Sequence, residues 1–170
     1  MIPIISIVGK SNSGKTTLIE KLIPLLKARG YRICTIKHDT HGFDIDREGK
    51  DTWRHAQAGA AGVIISSPFK IAMIKQVERE RSLDELAELF GPDVDLILTE
   101  GFKRGKKPKI EVSRSEVPGE LICDTNDNLV AIASNHDWDR GVPCFNINDA
   151  EALAEFIEKN FLFPSKPSVK

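Results

Sequence analysis

The sequence predicts an α/β fold, a mainly parallel sheet flanked by helices with one inserted antiparallel β-hairpin. Three observations carry that prediction. The run from Ile2 to Val8 is almost continuously apolar and rich in Ile, the mark of a strand buried on both faces of a parallel sheet. A strand, an amphipathic helix and a second strand are complete by Lys37. Strand and helix patterns then keep alternating to the end of the chain, as they do where helices cover a parallel sheet.

After the first strand, Gly9 to Gly14 is a loop of small residues. A helix is expected from Lys15 to Arg29, with Leu18, Leu22, Leu25 and Leu26 on one face and Gly30 as its stop. Pro24 falls inside that helix, where it kinks the chain or leaves a carbonyl unpaired. Arg32 to Lys37 is the second strand. Residues 38–49 are polar and form a loop, followed by a short helix from Asp51 to Ala58 that ends at Gly59. Val63–Ser66 and Lys70–Lys75 flank Ser67-Pro68-Phe69 as a hairpin. Ser82 with Glu85 three residues later makes a capping box for a helix over 83–90. Further strands are expected at 94–99, 110–113, 130–134 and 143–146, and Asn148 is expected to cap a last helix that turns Leu153, Phe156 and Ile157 inward.

The chain has 170 residues, within the roughly 100–200 of one domain, which places a single domain over 1–163 and a flexible tail over 164–170. With 41% hydrophobic and 29% charged residues the composition is globular, and a net charge of −1 argues against nucleic-acid or membrane-surface binding by bulk charge. No apolar run approaches the roughly 20 residues of a membrane helix, and the N-terminal segment has no basic region or small-residue cleavage site. Cys34, Cys123 and Cys144 are odd in number and form no C-x-x-C, which fits a reducing cytoplasm.

Gly9-Lys10-Ser11-Asn12-Ser13-Gly14-Lys15-Thr16 matches G-x-x-x-x-G-K-[ST] in full, and Thr17 follows it. The glycines let successive N–H groups point at one phosphate chain, and the following helix adds its positive end. Because the motif follows a buried strand and opens an amphipathic helix, it is expected to be a nucleotide-binding P-loop. Lys15 would reach the β/γ-phosphates and the Thr16 hydroxyl would hold Mg²⁺. Lys10 is either a solvated lysine that strengthens the positive field or one that reaches a partner's phosphates.

Asp95 and Glu100 compete for the Mg²⁺-side acid. They lie about 16 Å apart along an extended strand. Ligands of such sheets bind at the carboxyl ends of the strands, so Glu100 is preferred and Asp95 is expected to cap or salt-bridge the opposite edge. Gly101 permits close backbone approach to a phosphate.

Three blocks together resemble the molybdopterin-guanine dinucleotide biosynthesis protein B (MobB) family. They are the Ile2-Pro3 strand with its Gly14-Lys15-Thr16-Thr17-Leu18 loop; Lys37-His38-x-x-His41 leading through Asp44-x-Asp46 to Gly49-Lys50-Asp51-Thr52 and Ala58-Gly59-Ala60; and Asp95 to Lys103 around Thr99-Glu100-Gly101-Phe102. The resemblance spans residues 1–103 and is looser beyond. It implies a GTP-binding P-loop protein, weakly hydrolytic and usually a homodimer, acting beside the guanylyltransferase that joins GMP to molybdopterin.

Several residues keep more than one reading. His38, His41, Asp44 and Asp46 make either a switch loop whose Asp46 orients Mg²⁺-bound water, a separate metal site, or a network that orders the loop. The run Lys103, Arg104, Lys106, Lys107 and Lys109 is either a solvated loop or a set of cations for a phosphorylated pterin or a partner enzyme. Ser134-Asn135-His136-Asp137 is a degenerate form of the guanine-reading [NT]-K-x-D, with Asp137 in register to accept two hydrogen bonds from guanine, or else a plain turn. A small-molecule kinase using Arg79 and Arg81, or a metallochaperone GTPase, is the alternative function.

Overall fold

The computed structural model describes residues 2–162; the tail expected over 164–170 lies outside them. The chain read from sequence as one domain divides into two compact units, one running to His38 and resuming at Leu83, the other Asp39–Ser82.

The first unit is built on a six-stranded sheet. Its strands are β1 (Ile4–Val8), β2 (Ile33–Lys37), β5 (Leu96–Glu100), β6 (Lys109–Ser113), β7 (Leu129–Ser134) and β8 (Cys144–Asn146). They lie in the order β2-β5-β1-β6-β7-β8, and every neighbouring pair is parallel. The expected apolar strand is fully buried from Ile4 to Val8, and its apolar side chains enter three clusters, Ile5 and Ile7 in one and Ile4 and Val8 in two others. Ile5 and Ile7 pack with Leu18, Leu22 and Leu26 of α1 (Lys15–Ala28) and with Leu153 and Ile157 of α4 (Ala150–Phe161). Ile4 and Ile97 pack with Leu83 and Ala87 of α3 (Leu83–Ala87) on the opposite face. Burying strands on both faces is what a period-free apolar run requires.

Helix α1 runs through Pro24, whose missing N–H leaves the Glu20 carbonyl without its regular donor. The last helix is capped one residue later than expected. Asn146 Oδ1 accepts from Asn148 N at 2.9 Å, so that turn holds Asn148 outside the helix. Asp149 then accepts from Ala152 N at 3.1 Å and is the N-cap. Helix α3 covers only the start of the expected segment and passes into a 3₁₀ turn at Glu88–Phe90, closed by Gly91 at φ 76°.

Arg29 ties α1 to α4 through Glu158 at 2.6 Å and Glu151 at 2.5 Å, and the Tyr31 hydroxyl donates to Glu158 at 2.9 Å. Arg29, then Tyr31, hold the Glu158 carboxyl below the usual carboxylate range. A depressed folded-state pKa stabilises above the ordinary glutamate range and loses that contribution as pH falls through the folded value. Glu158→Gln is therefore expected to unfold earlier in urea at neutral pH, by less than about 1 kcal/mol because the group is partly exposed. The gap to the parent should close in acid; a gap that is constant with pH would assign the loss to packing.

The second unit contains α2 (Asp51–Gln57) and the antiparallel pair β3 (Gly62–Ser67) and β4 (Lys70–Lys75), the expected hairpin. Its apolar side chains are unusually bare: Ile64, Ile65, Phe69 and Ile71 are all exposed. Among the described residues no helix is long and apolar enough to cross a membrane.

Candidate functional site

The loop after β1 takes the conformation its glycines allow. Gly9 has φ 143°, and a Cβ there would stand 2.4 Å from the Val112 carbonyl oxygen, so only glycine fits. Asn12 is left-handed at φ 60°, and Gly14, at φ 98°, is the N-cap of α1. Ser13 N donates to Lys10 O at 3.3 Å, closing the loop, and Leu18 N to Gly14 O at 2.9 Å starts the helix. Lys15 arches back so that Nζ donates to Lys10 O at 2.7 Å. Burial lowers its pKa most, the Glu100 charge opposes that shift, and Lys103 and Lys37 add repulsion. Ser11, Asn12, Thr16 and Thr17 are exposed around this loop, while the Ser13 hydroxyl is buried with no partner among the described residues.

Glu100 stands at the carboxyl end of β5, in register with Ile7 of β1 and Lys37 of β2. The Thr16 hydroxyl lies 2.9 Å from one Glu100 carboxylate oxygen and 3.0 Å from the other. Two hard oxygen ligands on one side of the phosphate loop fit Mg²⁺. Gly101, at φ 101°, turns the chain there: its N–H donates to Ile7 O at 3.1 Å, and a Cβ would stand 3.2 Å from that of His38. The ring of His38 packs on Phe102 at 4.6 Å. Asp95 is at the other end of the strand and accepts from Arg32 N at 2.7 Å, the edge-capping role expected of it.

Lys10 is tied back onto its own chain in this structure. Its ammonium donates to the Pro118 carbonyl at 2.9 Å, on the segment after β6. The basic run is also not uniform. Lys109 is the first residue of β6 and buried, its ammonium donating to the carbonyls of Gly105 and Asp127. Lys107 pairs with Asp84 at 2.6 Å. Both are structural, and the side chains of Lys103, Arg104 and Lys106 remain exposed without a hydrogen-bond or ion-pair partner among the described residues.

Asp46 belongs to the second unit. Its Oδ1 accepts from Arg47 N at 2.9 Å and from the Thr52 hydroxyl at 3.0 Å, while Oδ2 is buried with no partner among the described residues. Among those residues no group of three or more His, Cys, Asp or Glu side chains is placed to hold a metal. Asp137 is exposed in the loop that leaves β7.

Two residues of this end of the sheet carry no sequence signal. Glu111 of β6 is buried and accepts from Ile122 N at 2.7 Å and Cys123 N at 2.9 Å. Burial pushes its carboxyl up, and burial and then Glu111 push the Cys123 thiol to about 11. Arg114, just past β6, donates from Nε to the Ser13 carbonyl of the phosphate loop at 3.2 Å.

Comparison with known proteins agrees with the resemblance carried by residues 1–103. The model of the family described as molybdopterin guanine dinucleotide synthesis protein B matches residues 4–135. A molybdopterin-guanine dinucleotide biosynthesis adapter protein of Haemophilus influenzae is 40% identical over 158 residues, covering 92% of this chain and 88% of that protein. One of the same name from Escherichia coli is 39% identical over 163 residues, covering 92% of each. A crystal structure of molybdopterin-guanine biosynthesis protein B superposes with a TM-score of 0.75 at 35% identity, over 92% of this chain and 97% of the other. With a glycine-shaped phosphate loop facing Glu100 at the carboxyl edge of a parallel sheet, the chain belongs to the MobB family.

Proposed function

We propose that this chain is a GTP-binding adapter in the formation of molybdopterin guanine dinucleotide, with weak Mg²⁺-dependent GTPase activity. The observation that carries the reading is the meeting of Thr16 and Glu100 beside the loop that holds Lys15. The loop N–H groups and Lys15 bind the phosphates, and Thr16 and Glu100 hold Mg²⁺, which when bound neutralises phosphate charge. Asp46, whose Oδ2 has no partner among the described residues, is the proposed water-orienting acid of the second unit. A reducing cytoplasm suits the three free cysteines.

The guanylyltransferase and molybdopterin are the proposed partners, and a second copy of the chain is the proposed occupant of the bare β3–β4 hairpin. A two-stranded sheet has two unpaired edges, and Ile64, Phe69 and Ile71 beside them are exposed. The test of function is equilibrium binding of GTP, ATP and molybdopterin to the purified chain with and without Mg²⁺. GTP binding that strengthens with Mg²⁺ is expected, and no nucleotide binding under any condition would refute the reading.

The cations that face a partner are Arg104 and Lys106 rather than the whole run. Arg104→Ser with Lys106→Ser is expected to leave GTP affinity within about twofold. It should weaken capture of the guanylyltransferase or of molybdopterin, with a flatter dependence on salt. Titration of both ligands at two ionic strengths decides, and unchanged binding of both would make the run a solvated loop.

A further inference from the structure

The two sides of the phosphate loop are built differently. On the β5 side, Thr16 and Glu100 gather oxygens suited to a cation and the terminal phosphate. A nucleoside running away from that side passes over the ends of β6 and β7, where Ser113 and Ser134 are paired in register. The degenerate guanine motif there is largely consumed by its own loop. The Ser134 hydroxyl is 3.0 Å from His136 Nδ1. Asn135 Oδ1 accepts from Ser115 N at 2.9 Å, and its amide donates to the Ser115 hydroxyl and the Glu116 carboxylate, each at 3.0 Å. Asp137 alone of the motif's polar side chains is exposed and without a hydrogen-bond partner among the described residues. It can accept from the ring N–H and amino group of guanine, but the motif keeps at most one side-chain donor, His136 Nε2, for the two acceptors of the base's other edge.

Arg114 precedes Ser115, whose N–H is bonded to Asn135 of that loop, and it is a donor at this end of the sheet. Its Nε is engaged with Ser13 O at 3.2 Å, which fixes the guanidinium against the phosphate loop. Gly14 makes the room: a Cβ there would stand 3.1 Å from Arg114 Nε and 3.3 Å from Nη2. The backbone beneath is held by Val117 N donating to Arg114 O at 3.0 Å and by the Ser115–Asn135 bonds. Among the described residues neither Nη atom makes a hydrogen bond. We infer that Arg114 is the base-discriminating residue of this site, its free Nη fork donating to the adjacent O6 and N7 acceptors of guanine; the inference rests on the nucleotide reading above. A guanidinium is donor only. Guanine offers two acceptors on that edge, whereas adenine offers one acceptor and an amino donor, so the same fork repels adenine.

The test is calorimetric titration of the parent, Arg114→Met and Arg114→Lys with GTP, ATP, 7-deaza-GTP and tripolyphosphate. The parent should prefer GTP to ATP by about 10- to 100-fold and lose about tenfold when N7 becomes C–H. Arg114→Met should lose about tenfold of the preference for GTP over ATP and keep the part that Asp137 supplies, stop distinguishing 7-deaza-GTP, and bind tripolyphosphate as the parent does. Arg114→Lys should recover part of the preference. The 7-deaza comparison is made on the unaltered chain, so it holds even if a variant misfolds. Equal losses for GTP, ATP and tripolyphosphate would make Arg114 a phosphate ligand and end the proposal, as would parent indifference to N7. Parent chain that binds no nucleotide would refute the nucleotide reading and this one together; GTP and ATP bound equally well would refute only the assignment of Arg114.

Discussion

Lys15→Ala should weaken GTP binding by roughly 2–4 kcal/mol while leaving the fold intact. The ammonium is partly buried and lodged 2.7 Å from the Lys10 carbonyl, against the phosphate loop. Its environment is costly for a cation: burial lowers its pKa, and Lys37 and Lys103 repel it against the attraction of Glu100. A charge kept in that position contributes little to folding, because its one hydrogen bond to a carbonyl replaces one to water and nets about 1 kcal/mol. Its return comes with an anion, when the repelling lysines and Lys15 face the same phosphates. Alanine removes the charge-assisted contacts but none of the apolar packing of α1, whose buried residues are Leu18, Ile19, Leu22 and Leu26. Calorimetry with GTP, paired with thermal unfolding, separates the two effects. Parent-like affinity in a folded variant would remove Lys15 from the phosphate site.

The parts of this architecture that sequence discloses are those whose signal is local. The Ile run of β1, the spacing of Leu18, Leu22 and Leu26, and the glycines of the loop each constrain their own neighbourhood, and α1 begins at Lys15 as the motif requires. Strand direction alone puts Glu100 and Asp95 at opposite ends of β5, where they meet the Thr16 hydroxyl and Arg32 N. What sequence hides is set by pairings distant along the chain. Lys109 looks like the last of a solvated run until β6 is seen to start with it, which turns its ammonium onto the Gly105 and Asp127 carbonyls. Arg114 reaches Ser13 across 101 residues, with no motif to announce it. Asn148 is a good cap by type, yet the Asn146 turn before it shifts the helix start to Asp149.

The sharpest division between the two acids should come in turnover. Glu100→Gln is expected to reduce Mg²⁺-dependent GTP hydrolysis by about 100-fold, and Asp95→Asn to leave it unchanged. Glutamine keeps an oxygen that can accept from the Thr16 hydroxyl, so the contact that positions Thr16 survives while the negative charge does not. The loss should therefore fall on the divalent cation. Nucleotide affinity without Mg²⁺ should stay within about twofold, and the Mg²⁺ needed for half-maximal turnover should rise. Asparagine at position 95 likewise keeps an acceptor for Arg32 N, so its cost is confined to stability and should not exceed about 1 kcal/mol. Single-turnover hydrolysis across a Mg²⁺ series, with urea unfolding of both variants, measures both halves of the prediction. Loss of turnover in the Asp95 variant with full activity in the Glu100 variant would place the cation at the wrong edge of the sheet. It would also break the inference that phosphates lie over the carboxyl end of β5, because the two carboxylates sit at opposite ends of one strand and cannot exchange roles.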